Sequence, residues 1–229
     1  MQNVKVKKKY TLHHFSFFLM HYTMSLYLIR HTTPFVEKGT CYGQTDIDVT
    51  ETFLQEAGLI KELIPEMVEQ VYCSPLVRCR KLAEFLFPNL PVTYENSLME
   101  VYCGAWEMQK WDDIPREIID PWMKDFVNVS FPGGESYIQL HERATQCFEK
   151  ILLAPRPIAV VTHAGVIRSI LSYITQTPLQ NSFGVFGLHY GCVVKMDHAE
   201  GAWKHELLST NTSEKEQHKP SYFQRPAKG

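Results

Sequence analysis

Beyond residue 23 the chain alternates short apolar runs with longer stretches whose apolar residues recur at helical spacing, which predicts strands alternating with helices. Residues 26–29 form a compact apolar run ending at Arg30 and His31, the pattern of a buried strand that delivers polar groups at its carboxyl end. Residues 32–50 are rich in Thr, Gly, Pro and Asp, an irregular connection long enough to be functional. Thr50 is the expected N-cap of a helix with Phe53, Leu54, Ala57, Leu59, Ile60 and Leu63 on its apolar stripe, running up to Pro65. Val71 and Tyr72 predict a second strand. Ser74-Pro75 then opens a helix through Leu82, Ala83 and Leu86, with Pro75 in the first turn, where its missing N–H costs nothing.

Residues 91–94 predict a third strand, and the Trp- and Pro-bearing segment 97–131 predicts a loop with short helices over the sheet edge. After the turn Pro132-Gly133-Gly134, the residues Ile138, Ala144, Cys147, Phe148, Ile151 and Leu152 mark a long amphipathic helix. Residues 157–161 are the most apolar strand, ending in Thr162 and His163 and followed by a helix over 165–173. Residues 193–196 and 202–207 predict a last pair of strands, and a polar, frayed tail follows Ser209. The fold class expected is α/β, a three-layer sandwich with a mainly parallel central sheet flanked by helices. Ligands of such sheets sit beyond the carboxyl ends of the strands, where two strands of this chain end in histidine.

Composition narrows the picture. The 229 residues carry 23 basic and 25 acidic side chains, a net charge of −2, so no global field recruits nucleic acid or an anionic membrane. Any bound anion must be held by local groups. Six cysteines (Cys41, Cys73, Cys79, Cys103, Cys147, Cys192) show no C-x-x-C pair and no zinc spacing, which predicts reduced, buried thiols, a cytoplasmic setting and no metal site. Residues 1–23 join a basic run (Lys5, Lys7, Lys8, Lys9) to an apolar one (Phe15, Phe17, Phe18, Leu19, Met20) in the manner of a signal peptide, but His13, His14 and His21 interrupt it. They are read as an extension upstream of a natural start at Met24, with a domain over 24–208 and a polar tail over 209–229. Without the four lysines of the extension, 19 basic side chains face 25 acidic ones. No span of about 20 apolar residues predicts a membrane helix. No P-loop, G-x-G-x-x-G or G-x-S-x-G motif is present.

Arg30, His31, Arg78, Glu100 and His163 converge if the strand ends point to one crevice, and two imidazoles, two guanidiniums and one carboxylate make a cationic site suited to phosphate. Five ordered motifs carry a resemblance. Leu28-Ile29-Arg30-His31, Ser74-Pro75-Leu76 with Arg78 and Cys79, Leu98-Met99-Glu100 with Gly104, Trp106 and Glu107, Pro132-Gly133-Gly134-Glu135-Ser136, and Thr162-His163-Ala164-Gly165-Val166-Ile167-Arg168 resemble the histidine phosphatase superfamily, in its phosphoglycerate-mutase-like branch. Within that branch the stretch from Gly39 through Tyr42, Gly43 and Gln44 to Asp46, and the Trp106-Glu107 step, look most like α-ribazole phosphatases.

The resemblance implies a metal-independent phosphomonoester hydrolase without cofactors that acts on a small phosphorylated substrate, best guessed as α-ribazole 5′-phosphate. It assigns His31 as nucleophile, with its other ring nitrogen on a backbone carbonyl of the following loop, and Glu100 as general acid. His163 is a further catalytic group beside the phosphate, Arg30 and Arg78 clamp phosphoryl oxygens, and Thr32 and Ala164 offer backbone amides in place of the usual glycines. The family's downstream Asn has no counterpart in residues 33–38, so Thr40, Tyr42 and Gln44 become candidates for that loop, with Trp106 a candidate for desolvating Glu100. A broad small-molecule phosphatase, a mutase-like enzyme and a silent phospho-ligand-binding module are the alternatives. Retention of Glu100 weighs against the last, because a binder needs no proton donor.

Overall fold

A computed structural model of the chain describes residues 24–64, 67–155, 157–199, 201–209 and 219–221. The expected extension over 1–23 and most of the tail lie outside the described residues. Within the expected tail, Pro220 is buried, and the exposed Ser221 donates its N–H to Asp112 Oδ1 at 2.6 Å.

The first strand, β1 (Met24–Arg30), is followed by the loop 31–52 and helix α1 (Phe53–Glu62). The N-cap is Thr52, two residues beyond the expected Thr50, and it makes no side-chain cap bond. Thr50 Oγ1 is shared with Thr52 Oγ1 at 2.7 Å instead, and Thr52 Oγ1 donates to Glu56 Oε1. After β2 (Gln70–Cys73) comes α2 (Val77–Leu86), which also begins later than expected. Leu76 is still extended (ψ 139°), so Pro75 lies outside the helix, and the Val77 N–H is capped by Asp46 Oδ1 at 2.6 Å. That long-range cap fixes the loop after β1 against α2.

Strand β3 (Val92–Tyr94) leads into the insert, three short 3₁₀ turns and helix α3 (Arg116–Lys124). The helix runs through Pro121, a breaker by local rules, because Ile119 and Trp122 on its apolar face are buried in an aromatic cluster with Trp106, Trp111 and Phe131. Helix α4 (Tyr137–Ile151) starts with a capping box between Ser136 and Gln139. Then follow β4 (Ile158–Thr162), α5 (Ala164–Thr175), the short α6 (Ser182–Val185), β5 (Val193–Ala199) and β6 (Ala202–Leu208).

The strands form one six-stranded sheet in the order β3-β2-β4-β1-β5-β6. The first four of these are parallel, and β5 and β6 add antiparallel strands at one side, so the mainly parallel sandwich is observed. Alternation along β1 divides two cores. Leu26 and Leu28 face one core with Leu140, Phe148, Ile167 and Ile170, and Tyr27 and Ile29 face the other with Ala57, Ile60, Leu82 and Ala83. Each fully buried Leu or Ile contributes about 1.5–3 kcal/mol of transfer free energy, which holds the helices on both faces. Among the described residues no helix is long and apolar enough to cross a membrane.

Candidate active site

The parallel pairing of β1 with β4 sets Arg30 opposite Thr162, so the residues that follow, His31 and His163, emerge side by side at the carboxyl edge. Their ring centroids are 5.1 Å apart. Backbone bonds from His31 N–H to Thr162 O and from Gly191 N–H to His31 O hold the nucleophile candidate between β4 and the turn before β5. His31 Nδ1 lies 2.7 Å from Thr32 O. A carbonyl can only accept, so Nδ1 carries the proton and, in the neutral ring, Nε2 keeps the lone pair.

His163 is wholly buried, its Nε2 2.8 Å from Ser74 Oγ and 3.5 Å from Cys79 Sγ. Burial, followed by the charges of Arg78, His31 and Arg30, pushes its pKa well below the ordinary histidine value. Burial also raises the Cys79 thiol to about 12, so it is a neutral contact for the imidazole. Arg78 has no exposed surface, and it donates from Nη1 to Thr45 O at 3.0 Å and from Nη2 to Gly43 O at 2.6 Å. Two of its five N–H groups thus hold the loop, and its Nε finds no hydrogen-bond partner among the described residues. Thr32 Oγ1 is likewise buried and without such a partner. Arg30 Nη1 donates to Leu188 O at 2.8 Å.

Glu100 follows a 3₁₀ turn and is held from three sides. Its Oε1 accepts from its neighbour Val101 N–H at 2.9 Å and its Oε2 from Gly165 N–H in the first turn of α5 at 3.0 Å. Its backbone carbonyl accepts from Gln44 Nε2 at 3.0 Å and Arg143 Nη2 at 2.9 Å. Arg30, His31, Glu100, Tyr42, Ala164 and Arg168 line one cavity of about 100 Å³, whose far wall is aromatic and includes Trp111, Trp122 and Phe131. The insert therefore stands over the carboxyl ends of the strands rather than over the sheet edge. Arg78 and His163 back this cavity as buried charge and buried imidazole.

Three of the four substrate candidates are not on the cavity wall. Thr40 is buried in a β-bridge with Lys110, and Trp106 packs edge-on against Trp111, Trp122 and Phe131 in the insert core. Gln44 acts on the Glu100 carbonyl from behind, and Tyr42 is the one of the four that lines the cavity. The supporting carboxylates escaped sequence reasoning. Glu107 accepts from the N–H groups of Gly43, Gln44, Thr45 and Cys103 and from Thr45 Oγ1, which shapes the loop that engages Arg78. Glu135 pairs with Arg143 through two bonds of 2.7 and 2.8 Å. Glu107 and Glu135 both stand inside motifs, the one available signal, whereas nothing local marks Arg143 or Tyr190.

Comparison with known proteins agrees with this geometry. The model of the histidine phosphatase superfamily (branch 1) matches residues 26–211. Adenosylcobalamin/α-ribazole phosphatase of Salmonella typhimurium is 25% identical over 187 residues, covering 78% of this chain and 92% of that protein. A metal-independent phosphoserine phosphatase of Arabidopsis thaliana is 30% identical over 161 residues, 65% of this chain and 68% of that one. The crystal structure of a putative α-ribazole-5′-P phosphatase of Escherichia coli superposes with a TM-score of 0.74 at 22% identity, over 82% of this chain and 97% of the other. The chain belongs to the histidine phosphatase superfamily and is a phosphatase with a histidine nucleophile.

Proposed function

We propose that this member of the superfamily hydrolyses small phosphomonoesters through a phosphohistidine on His31. The bond from Nδ1 to Thr32 O carries the reading, because it leaves Nε2 as the nucleophile in a cavity that Glu100 also lines. Nε2 attacks phosphorus and the bond to the leaving oxygen breaks, while Glu100 gives its proton to that oxygen. Glu100 then takes a proton from water as the water attacks phosphohistidine, which frees Nε2 and releases inorganic phosphate. Arg30 and Arg78 neutralise the charge that builds on the phosphoryl oxygens, and the uncharged His163 ring and the Thr32 and Ala164 amides add fixed dipoles. Burial is the main cause that depresses His163 and the like charges of Arg78, His31 and Arg30 add to it; a phosphate dianion offsets that second part, which favours it over a neutral guest.

The first substrate to try is α-ribazole 5′-phosphate. The relative from Salmonella typhimurium bears that name, and the aromatic wall suits a leaving group with a flat ring. Arg168 on the same wall favours a second reading, a leaving group bearing a carboxylate, such as phosphoserine or 3-phosphoglycerate. We place the reaction in the cytoplasm, supported by six cysteines that are all buried, free thiols.

Rapid mixing with substrate followed by denaturation should trap acid-labile phosphate on the protein, and His31→Ala should abolish both trapping and turnover. Turnover that survives His31→Ala overturns the reading. Steady-state kinetics on the three esters, with and without chelator, rank the substrates and test the metal-free mechanism.

A further inference from the structure

Two tyrosines from distant parts of the chain meet above the two arginines of the site. Tyr42 Oη and Tyr190 Oη are 2.7 Å apart, 148 positions from one another in sequence. The Tyr190 ring lies 4.1 Å from the Arg30 guanidinium carbon and 5.6 Å from the His31 ring. The Tyr42 ring lies 5.6 Å from the Arg78 guanidinium carbon. Each tyrosine is also anchored next to its own arginine. Arg78 Nη2 donates to the carbonyl of Gly43, the residue after Tyr42, and Arg30 Nη1 donates to Leu188 O, two residues before Tyr190. The turn that carries Tyr190 is pinned to β1 by Gly191 N–H to His31 O and by Arg30 N–H to Cys192 O, with Gly191 at φ +70°.

We propose that the Tyr42–Tyr190 hydroxyl pair is a positioning device that spaces the Arg30 and Arg78 guanidiniums for a phosphoryl group. The chain Arg30, Tyr190, Tyr42, Arg78 links the two guanidiniums, and its hydroxyl-to-hydroxyl bond is the strut between the two sides. Both rings offer their negative faces to a guanidinium, which orders two cations that repel each other before any anion arrives. An ordered pair of cations binds phosphate more tightly than a mobile pair because less freedom is lost on binding. The proposal rests on the reading of the cavity as a phosphate pocket.

Binding of inorganic phosphate, followed by calorimetry and by inhibition of ester hydrolysis, tests it with Tyr42→Phe, Tyr190→Phe and the double variant. Phenylalanine keeps each ring and removes the hydroxyl that makes the strut. Each single variant is expected to weaken phosphate binding about fivefold to tenfold and to raise KM for a phosphate ester more than it lowers kcat. The double variant is expected to be no weaker than the weaker single, because the three lose the same bond. Single variants within twofold of wild type, or a double variant equal to the product of the singles, would overturn the proposal, as would a wild-type chain that binds no phosphate. Coupled loss of phosphate binding in a chain that hydrolyses no ester would support the strut and refute the hydrolytic reading.

Discussion

The Gly165 N–H donates to Glu100 Oε2 at 3.0 Å, and a Cβ at position 165 would stand 2.2 Å from Glu100 Oε1. The first turn of α5 therefore both holds the proposed acid and leaves it the space it occupies. Glycine is the only residue that fits with the carboxylate in place. A flexible side chain can swing aside, so the conflict falls on the chemistry and not on the fold.

Gly165→Ala is accordingly expected to lower kcat by about 100-fold, the usual cost of a displaced acid–base group. The thermal midpoint should stay level or rise, because Ala is about 1 kcal/mol better than Gly inside a helix. Steady-state kinetics beside a melting curve checks both halves. A variant with full kcat would show that Glu100 does not need this position.

Arg143 reaches from α4 to the segment that carries Glu100. It pairs with Glu135 and donates to the carbonyls of Ser97, Met99 and Glu100. Arg143→Ala leaves a half-buried carboxylate and three carbonyls short of donors, so a loss of about 3 kcal/mol is expected in urea unfolding, together with reduced kcat. Arg143→Lys should recover little of either, because a lysine ammonium cannot bridge Glu135 by a fork and still reach the loop. Lysine restoring the urea midpoint would place the effect in charge alone.

The parts of the site legible in the sequence are those that strand order and local pattern determine. Apolar runs ending in Arg30-His31 and Thr162-His163 gave two histidines at one sheet edge, and the β1–β4 pairing puts them 5.1 Å apart. The parts that escaped depend on contacts between distant segments. Asp46 caps α2 across 31 positions, so Ser74-Pro75 misplaces the helix start, and Pro121 sits inside α3 because burial of Ile119 and Trp122 outweighs its missing N–H. Thr40 and Trp106 have the chemistry of site residues but are spent on a β-bridge and on aromatic packing. Tyr190 lies in a turn without any motif, and only the tertiary fold brings it to Tyr42.

Glu107 makes the loop beneath Arg78 sensitive to acid. Burial alone would raise its pKa, but hydrogen bonds from Thr45 Oγ1 and from the N–H groups of Gly43, Gln44 and Cys103 hold it below the ordinary value of 4.5. A carboxylate depressed in the folded state stabilises fully above its unfolded pKa, and that contribution fades as pH falls through the lower folded value. Glu107→Gln, whose NH₂ would face backbone N–H groups, should cost about 2–3 kcal/mol at pH 7. The gap between variant and wild-type urea midpoints is expected to narrow below about pH 4.5, and a gap independent of pH would count against the assignment.

His163 gives the opposite kind of group a similar direction. Its folded pKa lies well below the ordinary 6.5, from burial first and then from the Arg78, His31 and Arg30 charges. As pH falls the unfolded chain takes up the proton before the folded one, so the unfolded state gains. Stability is full above about pH 6.5 and declines below it, by up to about 1.4 kcal/mol per pH unit for one such group, until the folded pKa is reached. His141, lowered by its own burial, adds to the same slope from α4, where its ring lies 6.5 Å from that of Tyr173 in α5. Glutamine at 163 cannot titrate, so His163→Gln should flatten the decline of the urea midpoint between pH 6.5 and 5 without abolishing it. An unchanged slope would mean that His163 takes up its proton at the same pH in the folded and unfolded chains, which would overturn the lowered pKa, whereas a steeper decline in the variant would mean that the folded chain holds the proton on His163.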